Sequence, residues 1–339
     1  MSDPEQDANR YLAEDLPLHF GGVLESPVVV YKTHGRLDEK ASNAVLYPTS
    51  YGAQHQDLEW LIRDDGILDP DRWFIIQVDS LGNGCSSSPS NHPQLQGTGL
   101  RLSQHDNLAL QRQLLRSELG IDRLAMVYGW SMGAQQAYHW AVHHSTAVAR
   151  IVTLCGTAKT TPHNKVFLDS LRAALTADPC WNGHAFDGYP ERGIVAFARV
   201  YASWAVSQPF YYREGFRELG FSTLEDYLVQ AWEPGYRRRD PMDLLAMLQI
   251  WRDCDVSTGN GFQGNLEAAL GQAQVRALVM PGQTDLYFTV DDCRREAQLL
   301  PDATFRVIPS DWGHKAGNPS MCGRDCRFIR ETLDQWLGS

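Results

Sequence analysis

The chain lacks the features that mark membrane, exported and nucleic-acid-binding proteins. No apolar run approaches the roughly 18 residues needed to span a bilayer, and the strongest, such as residues 27–31, are only strand-sized. The opening MSDPEQDANR has no basic start, apolar stretch or small-residue cleavage site of a secretory signal. A cytoplasmic protein with no membrane partner is therefore expected. Basic residues are scarce, 30 Lys and Arg against 41 Asp and Glu, and the net charge of −11 opposes binding to a phosphate backbone. Nucleic acid is not expected as a partner. Arg237, Arg238 and Arg239 form the one compact basic cluster, which suits a solvated face or a set of partners for nearby carboxylates. The seven cysteines are odd in number and scattered, and a chain this long needs no disulfides. Reduced thiols are expected. Cys322 and Cys326 are the closest pair, but no His or second Cys pair stands at zinc-site spacing around them, so neither a metal nor another cofactor is expected. Internal repeats and low-complexity tracts are absent too.

What the chain does have is enough apolar residue, 43% of 339, to bury one large α/β core with an insertion. Disorder is expected only in the first fifteen or so residues. Short apolar runs at 44–49 (AVLYPT), 73–78, 124–128, 151–154, 275–280 and 304–308 read as buried strands, several followed by turn-forming residues. Helix-period stretches at 103–119, opening with a Ser cap, and 132–144 lie between them. Strand and helix in alternation predict a mostly parallel sheet covered on both faces. The alternation stops after Cys155 and resumes near Val275. Candidate helices at 164–175, 193–206, 224–232 and 240–254 fill the gap and read as an inserted helical lid. The expected organisation is a first core part at 1–157, a lid at 158–270 and a second core part at 271–339. Lid aromatics, Tyr201 and Trp204 among them, suit an apolar acyl pocket, and equally the lid's own core.

Within 124–141, LAMVYGWSMGAQQAYHWA, the pentapeptide Gly129-Trp130-Ser131-Met132-Gly133 matches the G-x-S-x-G nucleophile elbow. A serine on that turn sits in a strained conformation between strand and helix, where a flanking Cβ would collide with backbone. The required context is present: an apolar strand before it and an amphipathic helix after. A hydroxyl is a poor nucleophile near neutral pH, so Ser131 needs a base held in the right tautomer by an acid. In this fold the acid precedes the histidine, each on a loop after a late strand. ALVMPG leads into Asp285 and TFRVIPS leads into His314. Of the 11 histidines, His314 alone has both the order and the loop context. Asp311, close to His314, and Asp255 are rival acids. Asp311 also suits a turn-capping role.

The oxyanion that forms on the substrate carbonyl needs backbone N–H donors. Met132, after the nucleophile, supplies one. The loop 48–52 is the best source of the second, with Tyr51 preferred over Ser50. The Ser50 and Tyr51 hydroxyls are further candidate donors, or residues that only shape the turn.

GIDRLAMVYGWSMGAQQAYHWA, VDSLGNGCSSSPS, ALVMPGQTDLYF and VIPSDWGH resemble, in order, the elbow, glycine-rich loop, acid and base segments of the homoserine O-acetyltransferase branch of the α/β-hydrolase superfamily. The resemblance covers the core on both sides of the lid. It implies an α/β-hydrolase fold, a serine at the bottom of a tunnel formed by the lid, and a homodimer packed through that lid. Two residues depart from the branch. Its acetyltransferases carry an acidic residue after the catalytic histidine to engage a substrate amine, where this chain has Lys315. Their elbow is usually Gly-Gly-Ser-Met-Gly-Gly, where this chain has Trp130 and Ala134. Trp130 and Lys315 are thus expected at the substrate, with homoserine disfavoured. Lys315 suits an anionic substrate or cofactor phosphate, or simply water.

The chemistry expected is serine-dependent hydrolysis of a small ester, thioester or amide. Transfer of the acyl group from acyl-CoA, as co-substrate, to an alcohol or amine is the alternative, and a ligand-binding protein that has lost catalysis is a third.

Overall fold

The computed structural model describes residues 8–97, 99–259 and 261–339; residues 1–7, most of the stretch read for a leader, lie outside the described residues. Ten strands are described: β1 (Asn9–Leu12), β2 (Leu16–Pro17), β3 (Val23–Leu24), β4 (Val28–His34), β5 (Ala44–Pro48), β6 (Phe74–Val78), β7 (Met126–Trp130), β8 (Arg150–Leu154), β9 (Arg276–Met280) and β10 (Ala303–Phe305). Eight form one sheet in the order β1-β4-β6-β5-β7-β8-β9-β10, and β2 pairs with β3 apart from it. From β6 through β10 every pairing is parallel, while β1 and β4 run antiparallel at one edge. This is the α/β-hydrolase arrangement expected. The central strands are apolar almost end to end because helices cover both faces: all five residues of β5 are buried, as are the last four of β8 and β9.

The structure corrects the sequence at the sheet edges and at the elbow. Residues 9–12 fall in the stretch expected to be disordered, yet they pair with Tyr31 to Val28 of β4. Backbone hydrogen bonds to an existing edge hold a segment whose polar Asn9 and Arg10 give no buried-strand pattern. The strand before the elbow runs to Trp130, two residues past the predicted end. Gly129 and Trp130 stay in register with Thr153 and Leu154, whereas Leu124 makes only an isolated bridge to Val148. At the other edge β10 stops at Phe305, and Ile308 reaches only a lone bridge to Gly282.

Between β8 and β9 the chain leaves the sheet. Helices Pro162–Thr176, Glu191–Ala205, Leu224–Tyr227 (continuing through Leu228–Trp232) and Pro241–Arg252 fall where helical pattern was seen. Thr161, Thr223 and Asp240 cap three of them with side-chain oxygens on backbone N–H groups. Their apolar faces meet in an aromatic cluster in which Phe167, Phe197, Tyr201 and Trp251 are buried. The three consecutive arginines pair with carboxylates: Arg237 with Glu191, Arg238 with Asp57 at 2.7 Å, and Arg239 with Asp57. Among the described residues no helix is long and apolar enough to cross a membrane.

Candidate active site

Ser131 stands between β7 and the helix Met132–His143 with φ 59° and ψ −123°, a conformation that costs an L-residue energy and persists only where its surroundings impose it. The neighbours show why the elbow is built from small residues. A Cβ on Gly129 would overlap the Gly133 carbonyl, and one on Gly133 would lie 2.7 Å from the Pro48 oxygen. The Ser50 hydroxyl donates to the Trp130 carbonyl at 2.7 Å, which ties the loop after β5 to the elbow. Ser50 is thus engaged in holding two backbones together.

Asp285 follows β9 on a turn that it stabilises itself. Its Oδ1 accepts the N–H groups of Tyr287 and Phe288, each at 3.1 Å, and its Oδ2 lies 2.7 Å from His314 Nδ1. A carboxylate acceptor makes Nδ1 the protonated nitrogen, so Nε2 carries the lone pair. The His314 ring stacks on Trp130 with centroids 5.0 Å apart and planes at 28°, and packs on Tyr287 at 4.4 Å. The Trp130 indole N–H also donates to the His314 carbonyl at 3.2 Å. The bulky residue before Ser131 therefore props the histidine, and room for it comes from Gly317, where a Cβ would lie 2.6 Å from the indole. Ser131, Asp285 and His314 are all buried.

Both rival acids are occupied elsewhere. Asp311 forms a fork with Arg213, which holds its pKa below the usual carboxylate value. Asp255 pairs with Lys159 at 2.7 Å and caps the short turn Val256–Thr258. Sequence reasoning missed Cys155, which directly follows β8. Its buried thiol donates to Asp285, and burial followed by the charge of Asp285 pushes its pKa well up. Only its position after a buried strand could have signalled this.

The two residues expected to meet an oxyanion, Met132 and Tyr51, lie on either side of the elbow's contact with the loop after β5. Met132 is the first residue of its helix, where a backbone N–H has no intrahelical acceptor. Tyr51 lies in the loop that Ser50 ties to the elbow. Its hydroxyl is committed to the Leu244 carbonyl at 3.1 Å, so only its backbone remains for that task.

A cavity of 470 Å³ opens beside these residues, lined by Tyr51, Trp130, Tyr227, Trp232, Tyr236 and Lys315 among others. It meets Trp130 and Lys315, which flank Ser131 and His314, rather than those two themselves. Lys315 sets its ammonium 4.7 Å from the centre of the Trp232 ring, makes no salt bridge among the described residues, and has its pKa lowered by burial. Tyr201 stacks on Tyr51 at 5.7 Å, behind the wall. Trp204, expected at the acyl pocket, does not line the cavity: it packs against His163 and Phe167 on another side of its helix. The aromatic content that suggested a pocket is there the core of the helical insertion between β8 and β9.

Comparison with known proteins finds relatives along most of the chain. The family model described as the alpha/beta hydrolase fold matches residues 64–317. A probable esterase of Corynebacterium glutamicum is 37% identical over 308 residues, 88% of this chain and 87% of the relative. An ethyl acetate hydrolase of Pseudomonas veronii is 34% identical over 327 residues, 95% and 92% of the two chains. The crystal structure of an acetylester hydrolase from Corynebacterium glutamicum superposes with a TM-score of 0.94 at 34% identity, covering 98% of this chain and 96% of that one. Homoserine O-acetyltransferases match more weakly; one from Solidesulfovibrio magneticus is 28% identical over 94% of this chain and 90% of its own.

Proposed function

The chain belongs to the α/β-hydrolase family and is a serine acyl hydrolase, and we propose that it cleaves esters of small acyl groups, acetate foremost, through an acyl-enzyme on Ser131. The observation that carries the mechanism is the Asp285–His314 pair, packed on Trp130 directly beside a serine in a strained elbow. His314 Nε2 takes the Ser131 proton as the hydroxyl attacks the ester carbonyl, and Asp285 holds the ring and stabilises the imidazolium that forms. The N–H groups of Met132 and Tyr51 meet the oxyanion. His314 returns the proton to the leaving alcohol; it then deprotonates water, which releases the acid and restores Ser131.

Acetate is favoured for two reasons. The relatives named for ethyl acetate and acetyl esters cover nearly the whole chain, and the nucleophile is buried beneath a modest cavity with aromatic walls. Lys315, in place of the acidic residue the acetyltransferases use on an amine, removes the acceptor contact that transfer to homoserine needs. The test is to quench the protein with p-nitrophenyl acetate and weigh it intact. One added acetyl group on Ser131, absent from Ser131→Ala, is expected. Undiminished turnover by Ser131→Ala would overturn the proposal, and ester product formed from acetyl-CoA and an added alcohol faster than free acetate would move the assignment to acyl transfer.

A further inference from the structure

The helix that begins at the nucleophile carries a second cluster of chemistry-bearing side chains at its other end. His139 and His143 are four residues apart, so they share one face of Met132–His143, and His105 comes from the first turn of the neighbouring helix Gln104–Gln113. Each imidazole offers one nitrogen, and the three nitrogens lie within 4.8 Å of one another. At the helical rise of 1.5 Å per residue, His143 is about 16 Å along the axis from the elbow. None of the three takes part in the proposed hydrolysis.

The surroundings set these rings up as lone-pair donors. His139 is fully buried, and its Nδ1 lies 2.9 Å from the Gln135 carbonyl, so that nitrogen carries the proton. Its Nε2 is left deprotonated, buried and without a hydrogen-bond partner among the described residues, an arrangement that costs free energy unless something binds there. The Thr258 hydroxyl gives its proton to the Asp255 carbonyl and lies 3.1 Å from His105 Nε2. That nitrogen is therefore a donor, and the other ring nitrogen of His105 holds a lone pair. The His143 ring donates to the Val256 carbonyl. Burial, reinforced by the neighbouring imidazoles, lowers the pKa of His105 to about 3 and that of His139 well below the ordinary value; burial, with His144 beside it, lowers that of His143 to about 4. All three are neutral at pH 7, as a ligand must be. Metal-binding imidazoles commonly anchor their second nitrogen on a carbonyl or hydroxyl in this way. The loop above is shaped to leave space: a Cβ on Gly259 would lie 3.0 Å from His105 Cε1 and 3.1 Å from His143 Cε1.

We propose that His105, His139 and His143 bind one divalent first-row transition-metal ion of the zinc class. Three imidazoles and no carboxylate or thiolate suit zinc, nickel or copper and not calcium or magnesium. A fourth position is left to solvent. The ion joins the two helices, and the outer hydrogen bonds of its ligands reach the loop 255–259 where the chain returns from the lid. The expectation of no metal rested on cysteine spacing and did not weigh the His-x-x-x-His pattern at 139–143, which needs the distant His105 to become a site.

The test uses tag-free, full-length protein stripped with a chelator and titrated calorimetrically with zinc chloride. One zinc per chain and a rise in the thermal midpoint are expected, and cobalt(II) should give visible d–d absorption at the same stoichiometry. Loss of an outer-shell partner weakens metal binding by about 10–100-fold, so His105→Gln and His143→Gln, both at partly exposed positions, should each weaken zinc by about 100-fold or more. His184→Gln, on an exposed lid residue, should leave the affinity unchanged. Absence of stoichiometric zinc binding by the wild-type chain would overturn the proposal. So would an affinity that both ligand variants retain.

Discussion

Two buried aspartate–histidine pairs occur among the described residues, and their hydrogen bonds differ by only a tenth of an ångström: His314 to Asp285 at 2.7 Å and His55 to Asp79 at 2.6 Å, both through Nδ1. In each pair the carboxylate's other oxygen accepts two further donors. For Asp285 these are the N–H groups of Tyr287 and Phe288. For Asp79 they are the His55 N–H and the Asn83 amide. The pairs differ in what the second ring nitrogen meets. His314 packs on Trp130, beside the strained Ser131 and a wall of the cavity. His55 is sealed in the interior, and its Nε2 has no hydrogen-bond partner among the described residues. An aspartate makes an imidazole a well-oriented proton acceptor in both places; of the two, His314 packs against Trp130, which precedes the strained serine and lines the cavity.

The largest expected effects separate the two pairs. Ser131→Ala and His314→Ala should each lower kcat by roughly 10⁴ to 10⁶, and Asp285→Asn by about 10⁴, since an amide there favours the wrong tautomer. Ser131→Ala and Asp285→Asn should unfold near the wild-type midpoint, whereas His314→Ala bares the buried Asp285 carboxylate and should lose stability as well as kcat. His55→Ala should act in the opposite sense. It leaves the Asp79 carboxylate buried with one charge-assisted hydrogen bond fewer, at about 3 kcal/mol of stability measured by urea unfolding, while the folded fraction keeps its kcat. Loss of kcat in His55→Ala at full stability would erase the distinction.

That distinction was only half legible in the sequence. Chain order and strand context pointed to Asp285 and His314, and the structure joins those two side chains directly. Nothing in order or context pointed to His55 and Asp79, because both precede the elbow and meet only when the loops after β5 and β6 fold together. Proximity in sequence was misleading in the other direction: Asp311, three residues before His314, is held by Arg213 from the helical insertion between β8 and β9. The sheet interior was legible because its strands are apolar along their whole length. The edge strand β1 was not, since backbone pairing with β4 holds it rather than side-chain burial.

A smaller effect concerns how the helical insertion is attached to the sheet-bearing core. Asp243, on the inserted helix Pro241–Arg252, accepts the Ser90 N–H at 2.9 Å and the Ser90 hydroxyl at 2.6 Å. Burial raises its pKa to about 7. Between the ordinary carboxyl value of 3.8 and about 7, the folded chain keeps a proton that the unfolded chain has released. This group's contribution to stability therefore falls as pH rises through that window and levels off above it. Thermal midpoints recorded from pH 4 to 8 should show this slope in the wild type and lose it in Asp243→Asn. Parallel curves for the two proteins would exclude Asp243 as its source.

The smallest test concerns what stands beside each histidine. His55 is flanked by Gln54 and Gln56, whereas His314 is followed by Lys315, whose ammonium rests on Trp232 with no carboxylate partner among the described residues. A lone cation in a cavity wall attracts negative charge, and a partly screened pair of this kind is worth about 1 kcal/mol, or roughly fivefold in binding. Lys315→Ala should therefore raise KM for an ester with a free carboxylate on its acyl group, such as a hemisuccinate, by about fivefold. For a neutral acetate ester the change should stay below about twofold, because only the cation–π contact and some packing are lost. Equal changes for both substrates would show that Lys315 packs the wall without reading charge. The contrast between the two histidines would then rest on the neighbouring Ser131 and Trp130 alone.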